Sequence, residues 1–363
     1  MTPPQPFVEE ISQRLDKFVA DRRAEASDLG EEALSLVDHA TASLQGGKRL
    51  RARFCWWGWR GVAERTGAPE SDAMAVVGVA ASLEIFQAAA LVHDDLIDNS
   101  DTRRGRPSAH RALEAGHRAS GWAGDADAYG RAASVLLGDL LVAWSDDLFE
   151  ESLALLPPAA ASAARAEYAR MRRDVTMGQY LDIAEESAWS TAGDDPDARR
   201  ALRIASYKSA RYSVQQPLVI GAALAGADEP QLQAMRDFGH PIGMAFQLRD
   251  DVLGVFGDAA ETGKPAGDDL REGKRTALVA FARASATSED RAHIDALLGD
   301  AMMRDEDLAW LRDRIEETAL GRVETLIADY ADDAEKALAS APLGADAAAE
   351  LRALARAAVD RRA

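Results

Sequence analysis

Residues 73–92 form an apolar run broken only by Ser82, Glu84 and Gln87, and the run leads straight into His93-Asp94-Asp95-Leu96-Ile97-Asp98. Such a stretch is long enough to span a bilayer. Glu84 near its middle and the acidic end argue against lipid on all sides, because an ionised group there is expensive to desolvate. The run therefore predicts a helix enclosed by other helices, and no transmembrane segment. The rest of the chain can supply those neighbours. Apolar residues recur at helical spacing, as in Ile11, Leu15, Phe18 and Val19, or Leu308, Leu311 and Ile315. Alternating, strand-like runs do not stand out. Helices are expected at 7–23, 28–44, 47–66, 71–99, 129–155, 159–190, 197–226, 230–257, 274–284, 289–299, 305–339 and 345–361, separated by turn-forming stretches such as 66–72, 116–127 and 257–273. With no long linker and no fixed-period repeat, residues 1–363 read as one all-α domain, a single large helical bundle. Its motif-bearing core covers about 45–276, and its C-terminal helices cover 289–361.

Charge narrows the partners. Lys+Arg total 42 and Asp+Glu 61, a formal charge of −19, which works against nucleic-acid binding. The lone Cys55 excludes an intrachain disulfide framework and a cysteine-rich metal site, and six histidines do not favour zinc. The opening MTPPQPFVEE has neither the basic start nor the apolar core of an export signal, so a cytoplasmic location is expected.

Two acidic clusters follow apolar helical runs. Asp94 and Asp98 are four residues apart, so both carboxylates fall on one helical face, one turn or ~5 Å apart along the axis. Like charges so placed repel unless a cation sits between them. The same stripe runs back to Gln87. All-oxygen ligands suit Mg²⁺, which keeps waters and shares its shell with phosphate oxygens. The second cluster, Asp250-Asp251 after Phe246-Gln247-Leu248-Arg249, has Gly254 where a third carboxylate could stand. One Asp pair at a helix end is ordinarily solvated surface; two, each ending a helix that must be buried, suggest a shared purpose.

Cations interleave with these clusters in chain order. Gly46-Gly47-Lys48-Arg49-Leu50-Arg51 sets Lys48 and Arg51 three apart at a glycine-led helix start, where phosphate is favoured. Arg103 and Arg104 follow the first acidic cluster, Lys208 lies within a helix, and Lys264 and Lys274-Arg275 follow the second cluster. Singly each reads as a solvated charge. Together they supply what a site needs to hold one diphosphate through Mg²⁺ and another directly through Arg and Lys. The stretch 257–264 is no phosphate-binding P-loop, because its glycine spacing is wrong, Pro265 replaces Ser or Thr, and no strand precedes it.

In GGKRLR, DDLID with SDTRRGRP, GQYLD, YKSARYS, FQLRDD and TGKPAGDDLREGKRT, taken in that order, the chain resembles the trans-isoprenyl diphosphate synthase (polyprenyl synthetase) family over about 45–276. The resemblance implies a helical bundle around a central cavity, usually a homodimer. It implies three Mg²⁺ ions, held by Asp94, Asp98 and Asp250 with Asp95, Asp182 and Asp251 supporting. Lys208, Lys264 and Arg103 would contact the allylic diphosphate (dimethylallyl, geranyl or farnesyl). Lys48, Arg51, Gln87 and Arg104 would hold isopentenyl diphosphate, whose pocket Phe246 lines. Ser209 and Gln247 match positions that steady the carbocation and its pyrophosphate. Lys274 matches a lysine that closes over the site, and Gln179 and Tyr212 fall at wall positions. Gly254, Ser209, Arg249 and Gln87 depart from the commonest residues without removing a required part.

The implied chemistry is ionisation of the allylic diphosphate, attack by the isopentenyl double bond and proton loss to the released pyrophosphate. It calls for no Ser, Cys or His nucleophile, so His93 reads as a structural neighbour. Ala89 and Ala90 stand where family members that stop at fifteen carbons carry bulky aromatics. An open path there points to geranylgeranyl diphosphate (C20), with Phe86 as the next floor; C15 or C25 and longer products are the alternatives. A class I terpene cyclase would not need Lys48, Arg51 and Arg104. A histidine-aspartate phosphohydrolase would need further paired histidines, and a non-catalytic subunit would be expected to have lost acidic residues.

Overall fold

The computed structural model describes residues 5–359 apart from 190, 192, 194, 258–265 and 301. Its first half comprises α1 (Gln5–Ala26), α2 (Glu31–Ser43), α3 (Leu50–Thr66), α4 (Ala73–Ile97), α5 (Ala109–Ala119), α6 (Ala126–Leu153) and α7 (Pro158–Ala188). Then come α8 (Arg199–Ile204), a π-helical segment Ala205–Gln215 and α9 (Gln216–Leu224), which continue one another. The remainder is α10 (Glu229–Phe256), α11 (Asp268–Arg271), α12 (Ala277–Ser285), α13 (Ser288–Leu297), α14 (Asp305–Ile315), α15 (Gly321–Ala339) and α16 (Ala345–Val359). Between α4 and α5, the strands Thr102–Arg103 and Arg106–Pro107 pair as a minimal antiparallel hairpin.

The apolar run is α4, and it is enclosed as its composition demands. Val76, Val79, Ala80, Leu83, Ile85 and Ala89 are buried, and α1, α3 and α6 pack around it. Among the described residues two large apolar clusters make most of the core, beside a small third cluster of Ala205, Ala210 and Met244. α10 joins the two large ones, giving Met235, Phe238 and Ile242 to the larger and Leu248, Val252 and Val255 to the smaller. Pro241 lies inside α10 without ending it. Trp59 is buried, and Trp56 packs between it and Phe7, so these tryptophans serve the core.

Several local features differ from the sequence expectation, among them a second π-helical stretch, Glu316–Leu320, inside the helix expected over 305–339. Residues 109–119, outside the helices expected from the sequence, are helical. Their buried stripe is His110, Leu113 and His117, so two of its three members read as polar. The helix expected over 197–226 widens to π geometry from 205 to 215, a form that recurs at functional sites. This segment is squeezed between α7 and α10. A Cβ on Gly178 would lie 2.3 Å from the Lys208 amide nitrogen, and one on Gly243 would lie 2.3 Å from the Ala210 carbonyl oxygen. Glycine on both sides lets the backbone bearing Lys208 come close to α7 and α10.

Candidate active site

The last turns of α4 open onto one side. Gln87, Ala90, Leu91, Asp94 and Asp98 are partly exposed along the predicted stripe, while Ala88, Ala89, Val92 and Asp95 are buried. Asp94 accepts from Gln179 Nε2 (3.2 Å) on α7 and lies 3.3 Å from Lys208 Nζ. Lys208 Nζ also donates to Asp182 Oδ2 at 2.6 Å. Arg103 Nε donates to Asp95 Oδ1 at 2.8 Å, and the same guanidinium reaches Asp94 at 3.5 Å. Burial raises the Asp94 carboxyl, but Lys208, Arg103 and Lys274 together outweigh it and hold the group below its usual value. Asp98 lacks that balance. Burial, then the neighbouring Asp94, pushes it up to about 6.

The second cluster, Asp250-Asp251, lies near the C-terminal end of α10. Asp251 is buried and accepts from Gln247 Nε2 at 2.7 Å; burial pushes its carboxyl up to about 7, with Asp269 and Asp250 adding to the effect. Lys274 Nζ pairs with Asp269 (2.9 Å) and Glu272 (2.8 Å). Its charge lowers Asp94 and Asp98 of the first cluster and also Asp251 of the second, while its direct partners are Asp269 and Glu272. Ser100, just past α4, donates to Glu272 at 3.3 Å and ties the two loops together. Among the described residues no three acidic or imidazole side chains converge on one point. A cation here would therefore take one or two carboxylates and complete its shell with water and phosphate oxygens, the habit of Mg²⁺. The hard-oxygen donor set and the raised Asp98 and Asp251 fit that ion.

A guanidinium corner adjoins the carboxylates. The hairpin turns on Arg104 and Gly105, both with positive φ (53° and 71°), the geometry of a two-residue type I′ turn. Arginine in that region is strained. The turn carries the Arg104 guanidinium to the Gly46-Gly47 loop, where Nη1 donates to the Gln45 carbonyl at 3.2 Å. Burial, then the like charges of Arg49, Arg103 and Arg51, lowers the Arg104 pKa against the pull of Glu84. Cations crowded in this way favour an anion between them. Arg51 lies over the Tyr212 ring (4.1 Å to its centroid) and donates to Ser213 Oγ at 2.6 Å. Lys48 is exposed on the same loop.

Sequence reasoning overlooked what anchors this corner. Buried Glu84 accepts from the Ala52 amide at 3.0 Å and lies 3.6 Å from Arg49. Arg49 itself has a positive φ of 50° as the residue before α3. Asp269 and Glu272 were also overlooked, although the acidic spacing after 264 was a usable signal. Of the expected residues, Ser209, Phe246, Gln247 and Asp250 are partly exposed on the π segment and α10. Lys264 lies outside the described residues. His93 faces away, 3.6 Å from Asp139 on α6. Below the carboxylates Phe86 is buried, its ring 5.8 Å from that of Tyr212 and 6.4 Å from that of Tyr168, which stacks on Phe149.

The family profile described as polyprenyl synthetase matches residues 34–315. A geranylgeranyl pyrophosphate synthase from Corynebacterium glutamicum, solved with isoprenyl diphosphate and magnesium, is 38% identical; the match covers 98% of this chain and 99% of that one, with a TM-score of 0.91. A geranylgeranyl diphosphate synthase of Sulfolobus acidocaldarius is 31% identical over 251 residues, 69% of either chain. A short chain isoprenyl diphosphate synthase of Methanocaldococcus jannaschii is 29% identical over 239 residues, and the match spans 66% of this chain and 65% of that protein.

Proposed function

Since this chain belongs to the polyprenyl synthetase family, we propose that it is a Mg²⁺-dependent prenyltransferase that joins isopentenyl diphosphate 1′–4, head to tail, to an allylic diphosphate and makes geranylgeranyl diphosphate. The observation that carries the reading is the Lys208 ammonium held between Asp94 (3.3 Å) and Asp182 (2.6 Å), with the Arg103 guanidinium on Asp95 and Asp94, beside the Arg51–Arg104 corner. Carboxylates and guanidinium groups so close together suit two diphosphates, one gripped through metal and one directly.

In this reading Asp94, Asp98 and Asp250 hold three Mg²⁺ ions, with Asp95, Asp182 and Asp251 in support. When bound, the metal withdraws charge from the departing pyrophosphate and stabilises it. Lys208, Arg103, Lys264 and Lys274 neutralise the same leaving group. Lys48, Arg51, Arg104 and Gln87 hold isopentenyl diphosphate, with Phe246 against its hydrocarbon. The allylic C1–O bond breaks and its electron pair leaves with pyrophosphate. The isopentenyl double bond then attacks C1, and a proton from its C2 passes to the released pyrophosphate. Apolar side chains must keep water from the allylic cation; Ser209 and Gln247 supply the nearby dipoles.

Ala90 on the Asp94 stripe and Ala89 beside it support a tail running past them toward Phe86, hence C20. We further propose a homodimer through the outer face of α6, where Val135 and Leu136 are exposed. A cytoplasmic compartment completes the proposal; 78% of the most apolar window of α4 is buried in protein, which supports its role as a core helix. The test is incubation of the purified protein with labelled isopentenyl diphosphate and dimethylallyl, geranyl or farnesyl diphosphate, with and without Mg²⁺. Metal-dependent formation of a C20 diphosphate supports the reading, and no condensation with any partner overturns it.

A further inference from the structure

Tyr212 lies in the π-helical segment four residues after Lys208 and is buried. Its hydroxyl donates to Oε1 of Gln87 on α4. Burial, against the opposing charge of Arg51, pushes the phenol up to about 12, so it carries its proton at neutral pH. The face of the same ring supports the Arg51 guanidinium. One side chain thus touches two of the groups assigned to isopentenyl diphosphate.

The chemistry of an amide makes the Gln87 contact consequential. A glutamine side chain has an acceptor end and a donor end, and either can face outward. Diphosphate oxygens at neutral pH are acceptors, so only the NH₂ end helps to bind them. With its oxygen engaged by the Tyr212 hydroxyl, Gln87 keeps both N–H donors for the partly exposed side of α4. We propose that Tyr212 is a positioning residue for isopentenyl diphosphate. Its hydroxyl sets the orientation of the Gln87 amide, and its ring sets the plane of Arg51. The proposal rests on the prenyltransferase reading and goes one step beyond it.

The test compares Tyr212→Phe, which keeps the ring under Arg51 and removes the hydroxyl, with the parent enzyme. Each diphosphate is varied separately at saturating Mg²⁺, and binding of isopentenyl diphosphate alone is measured by calorimetry. Loss of one neutral hydrogen bond should raise the KM and Kd for isopentenyl diphosphate about three- to tenfold. The KM for the allylic partner should stay put, and kcat should change far less than that KM. Equal rises in both KM values, or a fall in kcat alone, would assign the hydroxyl a merely structural role and overturn the proposal. Gln87→Glu provides an arm that leaves Tyr212 intact. It keeps the acceptor for the phenol and removes both donors, so isopentenyl diphosphate should bind still more weakly; unchanged affinity overturns the proposal. In a Gln87→His background, where the ring brings its own N–H, Tyr212→Phe should cost less than about twofold. A parent enzyme that condenses nothing would instead refute the prenyltransferase reading itself.

Discussion

The Lys208 ammonium lies 3.3 Å from Asp94 Oδ1, held there by a backbone that has left α-helical for π geometry. It pairs with Asp182 at the same time. Burial disfavours the charge, but Asp94, Asp182 and Asp98 outweigh it and keep the ammonium protonated well above its usual range. In the metal-free protein Lys208 thus does part of what a cation would do for Asp94. On binding a metal diphosphate it can turn from carboxylate to phosphate. Lys208→Met should cut turnover at least about a hundredfold, the scale of removing one donor from developing charge. It should also lower the metal-free melting temperature, since two largely buried carboxylates lose their shared partner. Added Mg²⁺ should recover the melting temperature but not the turnover. Activity within tenfold of the parent would contradict the assignment.

Asp94→Ala tests the metal reading from the other side. The carboxylate touches Lys208, Gln179 and Arg103 but is not part of the apolar core. Far-UV circular dichroism should therefore be unchanged while turnover falls by orders of magnitude. Near-normal turnover would remove Asp94 from the metal site.

Proton linkage gives a readout that needs no substrate. Asp98 and Asp251 sit at about 6 and about 7 in the folded protein, against roughly 3.9 for an unfolded aspartate. Below about pH 4 both states are protonated, so the contribution of these two groups to stability is fully present and does not change with pH. Between about pH 4 and 7 the folded state retains protons that the unfolded chain has shed, so stability falls as pH rises. Metal-free protein should therefore lose melting temperature over that window on account of these groups. Mg²⁺ binds the ionised form, so its stabilising shift should be larger at pH 7.5 than at pH 5. Scanning fluorimetry at the two pH values decides; an equal shift at both refutes the linkage.

The sequence carries some of this site openly and hides the rest. Asp94 and Asp98 are legible because a four-residue step maps directly onto one helical face. The order of Lys48, Arg51, Arg103, Arg104 and Lys208 around the acidic clusters is legible because an acidic chain has few reasons to concentrate cations there. The π segment is not legible, since it depends on how closely α7 and α10 approach at Gly178 and Gly243, a tertiary fact. Nor is the Glu84–Arg49 anchor, whose partners are far apart in sequence and look like a core blemish and a solvated charge. Gly254 reads as a missing carboxylate, yet a Cβ there would lie 1.8 Å from Asp269 Oδ2. The oxygen supplied by α11 occupies the place that a side chain on Gly254 would need.

That anchor makes its own prediction. Glu84→Ala leaves the Ala52 amide without its acceptor and Arg49 without its partner, both in a buried setting. The cost should be about 2–4 kcal/mol by urea unfolding. Because the loop bearing Lys48 and the start of α3 bearing Arg51 are then poorly held, the KM for isopentenyl diphosphate should rise as well. Glu84→Gln keeps an acceptor and should lose less stability. A stable Glu84→Ala protein with an unchanged KM would show that the corner holds itself together.

In the proposed reading, product length depends on what stands along the Asp94 stripe. Ala90 is partly exposed on that stripe, whereas Ala89 is fully packed to one side. Phe86 lies eight residues before Asp94, roughly 12 Å down the helix. An aromatic ring at Ala90 would project into the path of the growing tail with room to do so. At Ala89 the same ring must displace packed neighbours, at about 1–3 kcal/mol. Ala90→Phe should therefore shift the product from C20 toward C15 with little loss of melting temperature. Ala89→Phe should shorten it too, at a larger cost in stability. Mass spectrometry of the diphosphates made from labelled isopentenyl diphosphate measures both. If each variant still makes the parent distribution, the tail runs along a different face of α4.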